Sequence, residues 1–493
     1  NLLGYHKIDN NFYADELTFT RASTGTIVNA EGLIEEASVI STTEEVTNGN
    51  FATDTGWNKN TNWSISGGVA IADGTSSADL NQGTLSAVIG TKYLVSFDVV
   101  SLSQGTFKTQ IGGVSVTGNA LGSFSGEVVA TSTDRLRVIA QSNAIGSIDN
   151  VSVKEHTTSN IPRIDYLNNS NGSLLLEGQR TNLITYSEDF SQSYWGKLGL
   201  GVASAPSVTS NTSISPSGEQ NASRVIFDLN GGTAASDRSI IRVSESTSSA
   251  RVFSIYIKSF DGTDQQISLH SGGEGSPFTV TSEWTRYTFS ISSGVSFVGF
   301  GLKGTNGVDV SDILFYGAQL EQGSYATSYI PTSGTTSTRI KDSSSTTGLS
   351  SVIGQTEGTL FLDFTYKGLE DVNNMTSLSD GGVSNRVQLN ISSSGIGALI
   401  VSNGVTSFTS SNTSLVVGNR YKVAVKYKVN DFALWINGTE TSTDTLGDVP
   451  LNLNRFSFAF TNGTAFHFNQ TVSASLLYKT ALTNTELATL TTI

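Results

Sequence analysis

Carboxylates on alternate positions of a strand would be the first candidates for chemistry in this chain. Such spacing brings two carboxyl groups to about 5 Å apart, the separation that retaining glycoside hydrolysis uses. No run of this kind occurs in the C-terminal part of the sequence, where the acidic residues are scattered: Glu357, Asp363, Glu370, Asp371, Asp380 and Asp431. Glu370 and Asp371 are adjacent and fall in a predicted loop. The sequence therefore predicts that the protein is not an enzyme, and it disfavours a polysaccharide depolymerase.

Metal chemistry and nucleophilic catalysis are not indicated either. The histidines His6, His156, His270 and His467 are far apart, without the spacing of metal ligands, and each is predicted at the surface or in a loop. The chain has no cysteine, which excludes disulfides, thiolate metal sites and cysteine nucleophiles. Neither a G-x-S-x-G nor an H-E-x-x-H motif is present.

Tryptophan side chains are the main candidates for contact with a sugar, because pyranose rings stack on flat aromatic faces. Trp57 and Trp195 follow a phenylalanine at matching places and are predicted to fill cores, as is Trp435 before a tight turn. Trp284 opens the run "SEWTRYTFS" and is predicted at a sandwich edge. Trp63, in "NTNWSIS", has the most polar surroundings. Trp63 and Trp284 are the predicted carbohydrate-binding residues, with core packing as the alternative for Trp63.

Charge and composition exclude several classes of partner. The 493 residues carry 28 basic and 42 acidic side chains, a formal net charge of -14, which repels nucleic acid. No apolar run approaches the roughly 20 residues of a membrane span, so no membrane insertion is predicted. The first residues lack the pattern of a signal peptide, and Asn1 is compatible with a processing site before it.

Short alternating runs with frequent turn signals predict an all-β chain of tandem sandwiches. In "DFALWING" an alternating strand meets Asn437-Gly438, a strong hairpin signal. Only "NTELATL", residues 484–490, is predicted to be helical.

Two stretches are predicted to be versions of one jelly-roll module. One opens with "TNGNFATDTGW" (47–57) and the other with "TYSEDFSQSYW" (185–195). Each has an alternating central strand, "YLVSFDVV" or "RVFSIYIK", and each ends on a strand, "SIDNVSVKE" or "DILFYGAQLEQ". A third unit runs from "EGTLFLDFTY" to "ASLLYKTALTNTELATL", after a Ser/Thr-rich stretch at 333–351 that is predicted to be a linker.

The ribbon "LTFTRASTGTIVNAEGLIEE" (17–36) lacks a partner nearby in the sequence. If the first module is removed, this ribbon continues into another pair of short strands, "NIPRIDYLNNSNGSLLLEGQRTNL" (160–183). The sequence therefore predicts that the first jelly roll is inserted into a small β-meander. The predicted boundaries are an N-terminal arm and first half of the meander at 1–37, the inserted jelly roll at 38–158, the second half of the meander at 159–183, the second jelly roll at 184–332, the linker at 333–351 and the last sandwich at 352–493.

The segments on both sides of the insertion, here termed the seam segments, also resemble a known family. "LTFTRASTGTIVNAEGLIE", "IPRIDY…GSLLLEGQRTNLITYSEDFSQSYW" and "GAQLEQGSYATSYIPTSGTTSTR" together resemble tailed-bacteriophage structural proteins of tails, fibres and capsid decorations. The first module resembles a carbohydrate-binding jelly roll. The last unit resembles a concanavalin A-like or laminin G-like sandwich, through "YKVAVKYKVNDFALWING" and "LLYKTALTNTELATL".

The resemblance implies a virion structural protein at the surface of an extracellular particle, with modules that adhere to host-surface glycans. It implies other virion proteins as partners, a homo-oligomer with a trimer favoured, and a docking role for the N-terminal arm. Two alternatives stay open: a secreted or surface bacterial glycan-binding adhesin, and a purely architectural virion protein without sugar binding. No cofactor is predicted.

Carbohydrate-binding jelly rolls often hold a structural calcium ion near their first and last strands. Asn48, Asn50 and Asp149 have oxygen atoms of the kind that such an ion prefers. The alternative is that Asp149 and Asn150 form a turn before "VSVKE".

Overall fold

A computed structural model describes residues 3–8, 11–244, 249–272, 275–369 and 373–493, without the side chains of 3–16 and 275. Strands form nearly all of the regular structure, and one α-helix, α1 (Asn484–Thr491), is present among these residues. The prediction of an all-β chain of tandem sandwiches is confirmed. Contacts divide the chain into two compact units: residues 38–161, and residues 1–37 together with 162–493. The sequence had placed the insertion at 38–158.

Five strands precede the inserted module: β1 (Leu3–Ile8), β2 (Asn11–Glu16), β3 (Thr18–Thr20), β4 (Thr26–Val28) and β5 (Ile34–Glu36). The inserted module itself consists of β6 (Val39–Ile40), β7 (Asn58–Lys59), β8 (Trp63–Ser66), β9 (Val69–Asp73), β10 (Asp79–Ser86), β11 (Lys92–Ile111), β12 (Val114–Gly118), β13 (Gly122–Val129) and β14 (Arg135–Thr157).

The long strands β11 and β14 organise the inserted module. The first half of β11 pairs with β13 and the second half with β12, while β14 lies along both halves. Register shifts at Val99/Ser101 and Gln104/Thr106 interrupt the β11–β14 ladder. Such bulges bend a strand and increase its local twist. Phe97, Phe107 and Val153 are among the buried residues of its core.

Three short strands follow the inserted module and belong to the unit formed by residues 1–37 and 162–493: β15 (Ile164–Asp165), β16 (Ser173–Leu175) and β17 (Arg180–Asn182). The second jelly roll follows, with β18 (Gly196–Leu200), β19 (Ser207–Ser213), β20 (Ala222–Asp228), β21 (Arg238–Ser244), β22 (Arg251–Ser259), β23 (Gln265–Ser271), β24 (Gly275–Val280), β25 (Thr285–Ile291), β26 (Phe297–Lys303) and β27 (Val310–Gln322). Its two five-stranded sheets have the orders β18-β21-β26-β23-β24 and β19-β20-β27-β22-β25. Their inner faces enclose a core that includes Trp195, Phe253 and Phe315.

The C-terminal part consists of β28 (Ser337–Arg339), β29 (Ser343–Thr347), β30 (Glu357–Thr365), β31 (Asn373–Ser379), β32 (Arg386–Ser392), β33 (Gly395–Ser402), β34 (Val405–Thr409), β35 (Arg420–Lys428), β36 (Phe432–Ile436), β37 (Thr439–Asp444), β38 (Arg455–Ser457), β39 (Thr471–Tyr478) and α1. One sheet has the order β15-β16-β39-β30-β35-β36-β37, with the β1–β2 hairpin beside β39, and the other has the order β3-β29-β38-β31-β32-β33-β34.

Two local predictions in the C-terminal sandwich are confirmed. Strands β36 and β37 pair as a hairpin around Asn437 and Gly438, whose φ angles are +49° and +81°. Positive φ at both positions is the reason that Asn-Gly is favoured in this turn. The predicted helix is α1, and a capping box between Thr483 and Glu486 begins it.

The ribbon at 17–36 finds partners that are distant in the sequence. Strand β3 pairs with β29, and on the other side of the insertion β16 pairs with β39, next to β30. Strands β4 and β5 form a hairpin whose Ile34 packs against the second jelly roll at Tyr316 and Tyr329. The predicted meander does not form one small sheet, because β3, β15 and β16 extend the two sheets of the C-terminal sandwich while β4 and β5 form a two-stranded sheet of their own.

The β4 segment also holds both chain ends of the insertion. The amide of Ala37 donates to the carbonyl of Gly25 over 2.8 Å, and the amide of Tyr166 donates to the carbonyl of Val28 over 2.9 Å. The amide of Val28 in turn donates to Asp165 Oδ1. The chain thus leaves and re-enters this unit at one short stretch of backbone.

The predicted linker at 333–351 is wrong as well. This stretch contains β28 and β29, which pair with β17 and with β3 and β38. Arg339, Asp342 and Ser344 in it are buried. A Ser/Thr-rich composition resembles a linker, but hydroxyl side chains also suit the interior when polar partners are close.

Charged side chains gather where these segments meet. Arg21, Arg163, Glu177, Arg339 and Asp342, here termed the buried charge cluster, are each at most 2% exposed. Arg163 Nη1 lies 2.7 Å from Glu177 Oε2, and its Nη2 also binds Asp342. Arg21 Nη1 lies 3.0 Å from Asp342 Oδ1, and Arg339 Nη1 lies 3.1 Å from Glu177 Oε2. The cluster thus connects the chain segments before and after the insertion to the stretch 333–351 that was predicted to be a linker.

The cluster predicts a loss of stability in acid. Burial alone would raise the pKa of Glu177, but Arg339, Arg163 and Lys367 outweigh burial and hold this pKa well below its usual range. The unfolded chain therefore binds a proton more readily, so the stabilisation is complete above about pH 4.5 and is lost as the pH falls through the folded-state pKa. We expect the free energy of unfolding to fall between pH 5 and pH 3. Denaturant titrations across that range measure it, and Glu177→Gln should reduce the slope. An unchanged slope in that variant would contradict this assignment.

Candidate functional site

Trp63 does not lie on an accessible surface. Its side chain is 5% exposed, packs 5.9 Å from the ring of Phe107 and donates from Nε1 to the carbonyl of Ala78 over 3.0 Å. The prediction that Trp63 contacts a sugar is wrong for this conformation, because β8 alternates and directs Trp63 and Ile65 into the core. The polar neighbours that suggested exposure belong to the outer face of the strand and to the preceding turn.

Trp284 is half-buried at the edge of the second jelly roll. Its Nε1 donates to the carbonyl of Ile214 over 3.2 Å, and the side chain packs against the small cluster of Ile34, Tyr316 and Tyr329. Part of the ring therefore faces solvent, and sugar contact at Trp284 stays a prediction.

The other tryptophans are core residues, as predicted. Trp57 and Trp195 are buried, and each donates from Nε1 to the carbonyl nine residues earlier, that of Asn48 or Tyr186. Trp435 is buried against Leu487 of α1.

The prediction of surface or loop positions is wrong for two histidines, because His156 and His270 are buried within β14 and β23. His467 is also buried, but it lies in a loop between β38 and β39, as predicted. His156 Nδ1 lies 2.8 Å from Glu127 Oε1. The side chain of His6 lies outside the described residues.

Three of the acidic residues considered for catalysis, Glu357, Asp363 and Asp431, bind cationic side chains. Asp363 accepts from Arg420 Nε over 2.7 Å, and Glu357 lies 3.0 Å from Lys428 Nζ. Glu370 and Asp371 fall outside the described residues. That the protein is not an enzyme stays a prediction.

The residues considered for calcium make local contacts. The Asn48 amide donates to the carbonyls of Thr53 and Thr55, and Asn50 Oδ1 accepts from the amide of Ala52. Asp149 Oδ1 accepts from the amide of Asn150, which has a φ of +51°. The turn that was the alternative to a metal ligand is not formed, because Asp149 and Asn150 lie within β14 at a bulge in its pairing with β11, between Ser96 and Asp98.

A row of polar side chains crosses the outer face of the inserted module. Cross-strand pairing aligns one residue from each of five strands, in the order Asn58, Asn81, Arg137, Gln110 and Ser115. Paired residues of an antiparallel sheet project to the same side, and the alternate residues Leu80 and Val138 lie in the core. This row is termed the polar face.

Hydrogen bonds order the polar face. Arg137 Nε donates to Asp79 Oδ2 over 2.7 Å, and its Nη1 donates to Gln110 Oε1 over 3.4 Å. Asn58 Nδ2 donates to Asn81 Oδ1 over 3.3 Å. The amide and guanidinium groups are therefore held in fixed positions. Asn58 is exposed and Arg137, Gln110 and Ser115 are half-buried, whereas Asn81 is buried.

An open cleft of about 540 Å³ lies at one end of the polar face, and it is lined by Asp79, Gly83, Ser86, Thr133, Asp134, Arg135 and Arg137. A register shift between Gln82 and Ser86 separates β10 from β14 here. The volume is in the range of small-ligand sites, but the walls are polar and charged. Such a cleft suits a ligand that presents many hydroxyl groups.

The sequence analysis missed this surface. Its only signal was the alternation of polar with apolar residues on parts of β11 and β14, which any half-buried strand shows. The row becomes visible only when the register of five strands is known.

Comparisons with known proteins give only weak likenesses. No protein-family model matches the chain, and no curated protein matches it. Among solved structures, the carbohydrate-binding module CBM40 of a Ruminococcus gnavus IT-sialidase, bound to α2,3-sialyllactose, is 15% identical over 29% of this chain and 91% of that one, with a TM-score of 0.26. Domain 4 of an extracellular GH43 arabinanase from Geobacillus stearothermophilus, in complex with arabinotriose, is 14% identical over 34% and 83%, with a TM-score of 0.24.

A sialidase from Trypanosoma rangeli, in complex with the inhibitor DANA, is 10% identical over 96% of this chain and 98% of that one, with a TM-score of 0.22. TM-scores this low leave the question of the ligand to the chemistry of the chain itself. Among the described residues, no helix has the length and apolar character that a membrane crossing needs.

Proposed function

We propose that the protein is a glycan-binding protein without catalytic activity, and that the polar face of the inserted module contacts the sugar. The observation that carries this proposal is the alignment of amide, guanidinium and carboxylate groups beside the 540 Å³ cleft. Sugar hydroxyls both donate and accept hydrogen bonds, so a surface that has fixed groups of both kinds suits them.

Placement of the polar face on a separate compact unit supports an adhesive role. The sheet beneath the face has Phe107, Leu80 and Val138 in its core, so the backbone that carries the polar groups is well packed. Binding groups on strands are positioned more closely than groups on loops. The net charge of -14 also disfavours nucleic acid as the ligand.

In its biological setting, we propose a subunit of a tailed-phage particle that adheres to host-surface glycans, assembles with other virion proteins and forms a homotrimer. Support comes from the seam segments that resemble phage tail and decoration proteins. A bacterial glycan-binding adhesin would use the same polar face equally well. The neighbouring genes separate the two: capsid and tail genes favour the virion, and export or anchoring genes favour the adhesin.

The test is binding of the full chain to a broad glycan array, before and after Asp79→Asn. We expect saturable binding by the natural protein and about tenfold weaker binding by the variant, because loss of one charge-assisted contact frees Arg137 from its position. Stability should change by less than about 1 kcal/mol, since the Asp79–Arg137 pair is partly exposed.

Asp312→Asn is the matched control. It removes the carboxylate from another partly exposed Arg–Asp pair, that of Arg224 in the second jelly roll, and should leave glycan binding unchanged. Binding that survives Asp79→Asn would move the site elsewhere, with Trp284→Ala as the next variant. No binding by folded protein would favour the purely architectural role.

A further inference from the structure

A short loop of the C-terminal sandwich places two phenylalanine rings at the surface. The amide of Phe460 donates to the carbonyl of Ala465 over 2.8 Å, and the amide of Gly463 donates to the carbonyl of Phe460 over 2.7 Å. These bonds close a compact turn, and residues 460–466 are here termed the aromatic loop. The rings of Phe460 and Phe466 meet edge to face, with centroids 6.0 Å apart.

Side chains of the underlying sheet hold the aromatic loop in place. Ser377 Oγ donates to the carbonyl of Ala459 over 2.9 Å, and Ser379 Oγ donates to the carbonyl of Thr461 over 3.0 Å. Arg455 Nη1 donates to the carbonyl of Asn462 over 2.7 Å. The loop is thus fixed over the outer face of the sheet.

Phe466 has a backbone conformation that a bulky residue seldom adopts. Its φ is +51°, while its side chain is 38% exposed. A phenylalanine whose backbone is in the left-handed region is strained. Because its ring is 38% exposed, burial of the ring compensates little of that strain energy. Backbone strain of this kind occurs often at ligand sites.

Arg386 stands beside these rings without a carboxylate. Its Cζ lies 5.5 Å from the centroid of Phe460, its Nε donates to Gln388 Oε1 over 3.1 Å and its Nη1 donates to the carbonyl of Val383. No carboxylate lies within 4.0 Å of it among the described residues, in a chain with 42 acidic side chains. Partial burial lowers the pKa of Arg386, so its charge is incompletely solvated.

We propose that the aromatic loop and Arg386 form a second ligand site, which binds an acidic sugar through ring stacking on Phe466 and an ionic contact to Arg386. A uronic acid combines an apolar pyranose face with a carboxylate, the two features that this surface matches. The site lies on the C-terminal sandwich and is independent of the polar face of the inserted module.

The test uses the full chain with trigalacturonate and a hyaluronan tetrasaccharide, each beside its neutral methyl ester, in calorimetric or NMR titrations. We expect the acids to bind about tenfold more tightly than their esters, a preference that Arg386→Gln removes. Phe466→Gly should weaken binding of acid and ester alike while it keeps the fold, because glycine adopts positive φ without strain.

Two controls separate this site from the polar face. Arg224→Gln removes a cation elsewhere and should leave the acid preference intact, and Asp79→Asn should leave binding of the acidic probes unchanged. Loss of acid binding in Asp79→Asn but not in Arg386→Gln would overturn the proposal and assign the probes to the polar face. No binding of either acid by folded protein would also overturn it, without bearing on neutral glycans at the polar face.

Discussion

Replacement of Arg163 by methionine is expected to lower the free energy of unfolding of the unit formed by residues 1–37 and 162–493 by about 3–5 kcal/mol. Arg163 is fully buried and binds both Glu177 and Asp342. Methionine fills a similar volume but leaves two carboxylates in the interior with fewer cations. The cost of desolvating those carboxylates then falls on the folded state.

Chemical denaturation with the full chain measures this loss. Arg224→Met serves as the control, because its pair with Asp312 is partly exposed and should contribute at most about 1 kcal/mol. Equal effects of the two substitutions would contradict the view that burial of the charge cluster determines its contribution.

Trp195→Ala is expected to destabilise the same unit by about 3–5 kcal/mol, and Trp57→Ala to destabilise the inserted module by a similar amount. Trp195 is 1% exposed and packs 4.8 Å from the ring of Phe190. Trp57 packs 5.3 Å from the ring of Phe51. Both substitutions leave a large cavity and remove the donor to the carbonyl nine residues earlier.

The location of each effect distinguishes the two modules. Because the chain forms two compact units, its unfolding need not be a single transition. Limited proteolysis during denaturation should show early cleavage within 38–161 for Trp57→Ala and outside it for Trp195→Ala. Trp284→Ala, at a half-buried edge, should have a much smaller effect. Cleavage at the same places in both core variants would contradict independent modules.

Local patterns were sufficient to predict the class of fold and several elements. Alternation predicted β-sandwiches, Asn437-Gly438 predicted a hairpin, and the paired Phe and Trp of the two modules predicted core residues. Each of these depends on neighbours within about ten residues, which the sequence displays directly. Trp63 was wrongly predicted to be exposed, because its sequence neighbours are polar. The alternation of the short strand β8 instead directs its side chain into the core.

The features that were not predicted depend on contacts between residues far apart in the sequence. Arg21 and Asp342 are 321 residues apart and still share a buried hydrogen bond. A Ser/Thr-rich segment with few charged residues has the composition of a solvated loop, so the stretch at 333–351 was predicted to be a linker. The seam segments were nevertheless informative, since "LTFTR", "IPRID", "LLLEG" and "STRIKD" supply the members of the buried charge cluster. The polar face was missed for the same reason, because its register depends on five strands.

The closure of both insertion ends on Gly25 and Val28 has a consequence for how such a protein can diversify. A unit whose exit and entry points are tied to one stretch of backbone is suited to accept different insertions between them, here the 124 residues 38–161. Recombination at this junction could exchange one inserted module for another while residues 1–37 and 162–493 stay the same. For an adhesive protein, specificity for a host surface would then be inherited as a cassette, separately from assembly.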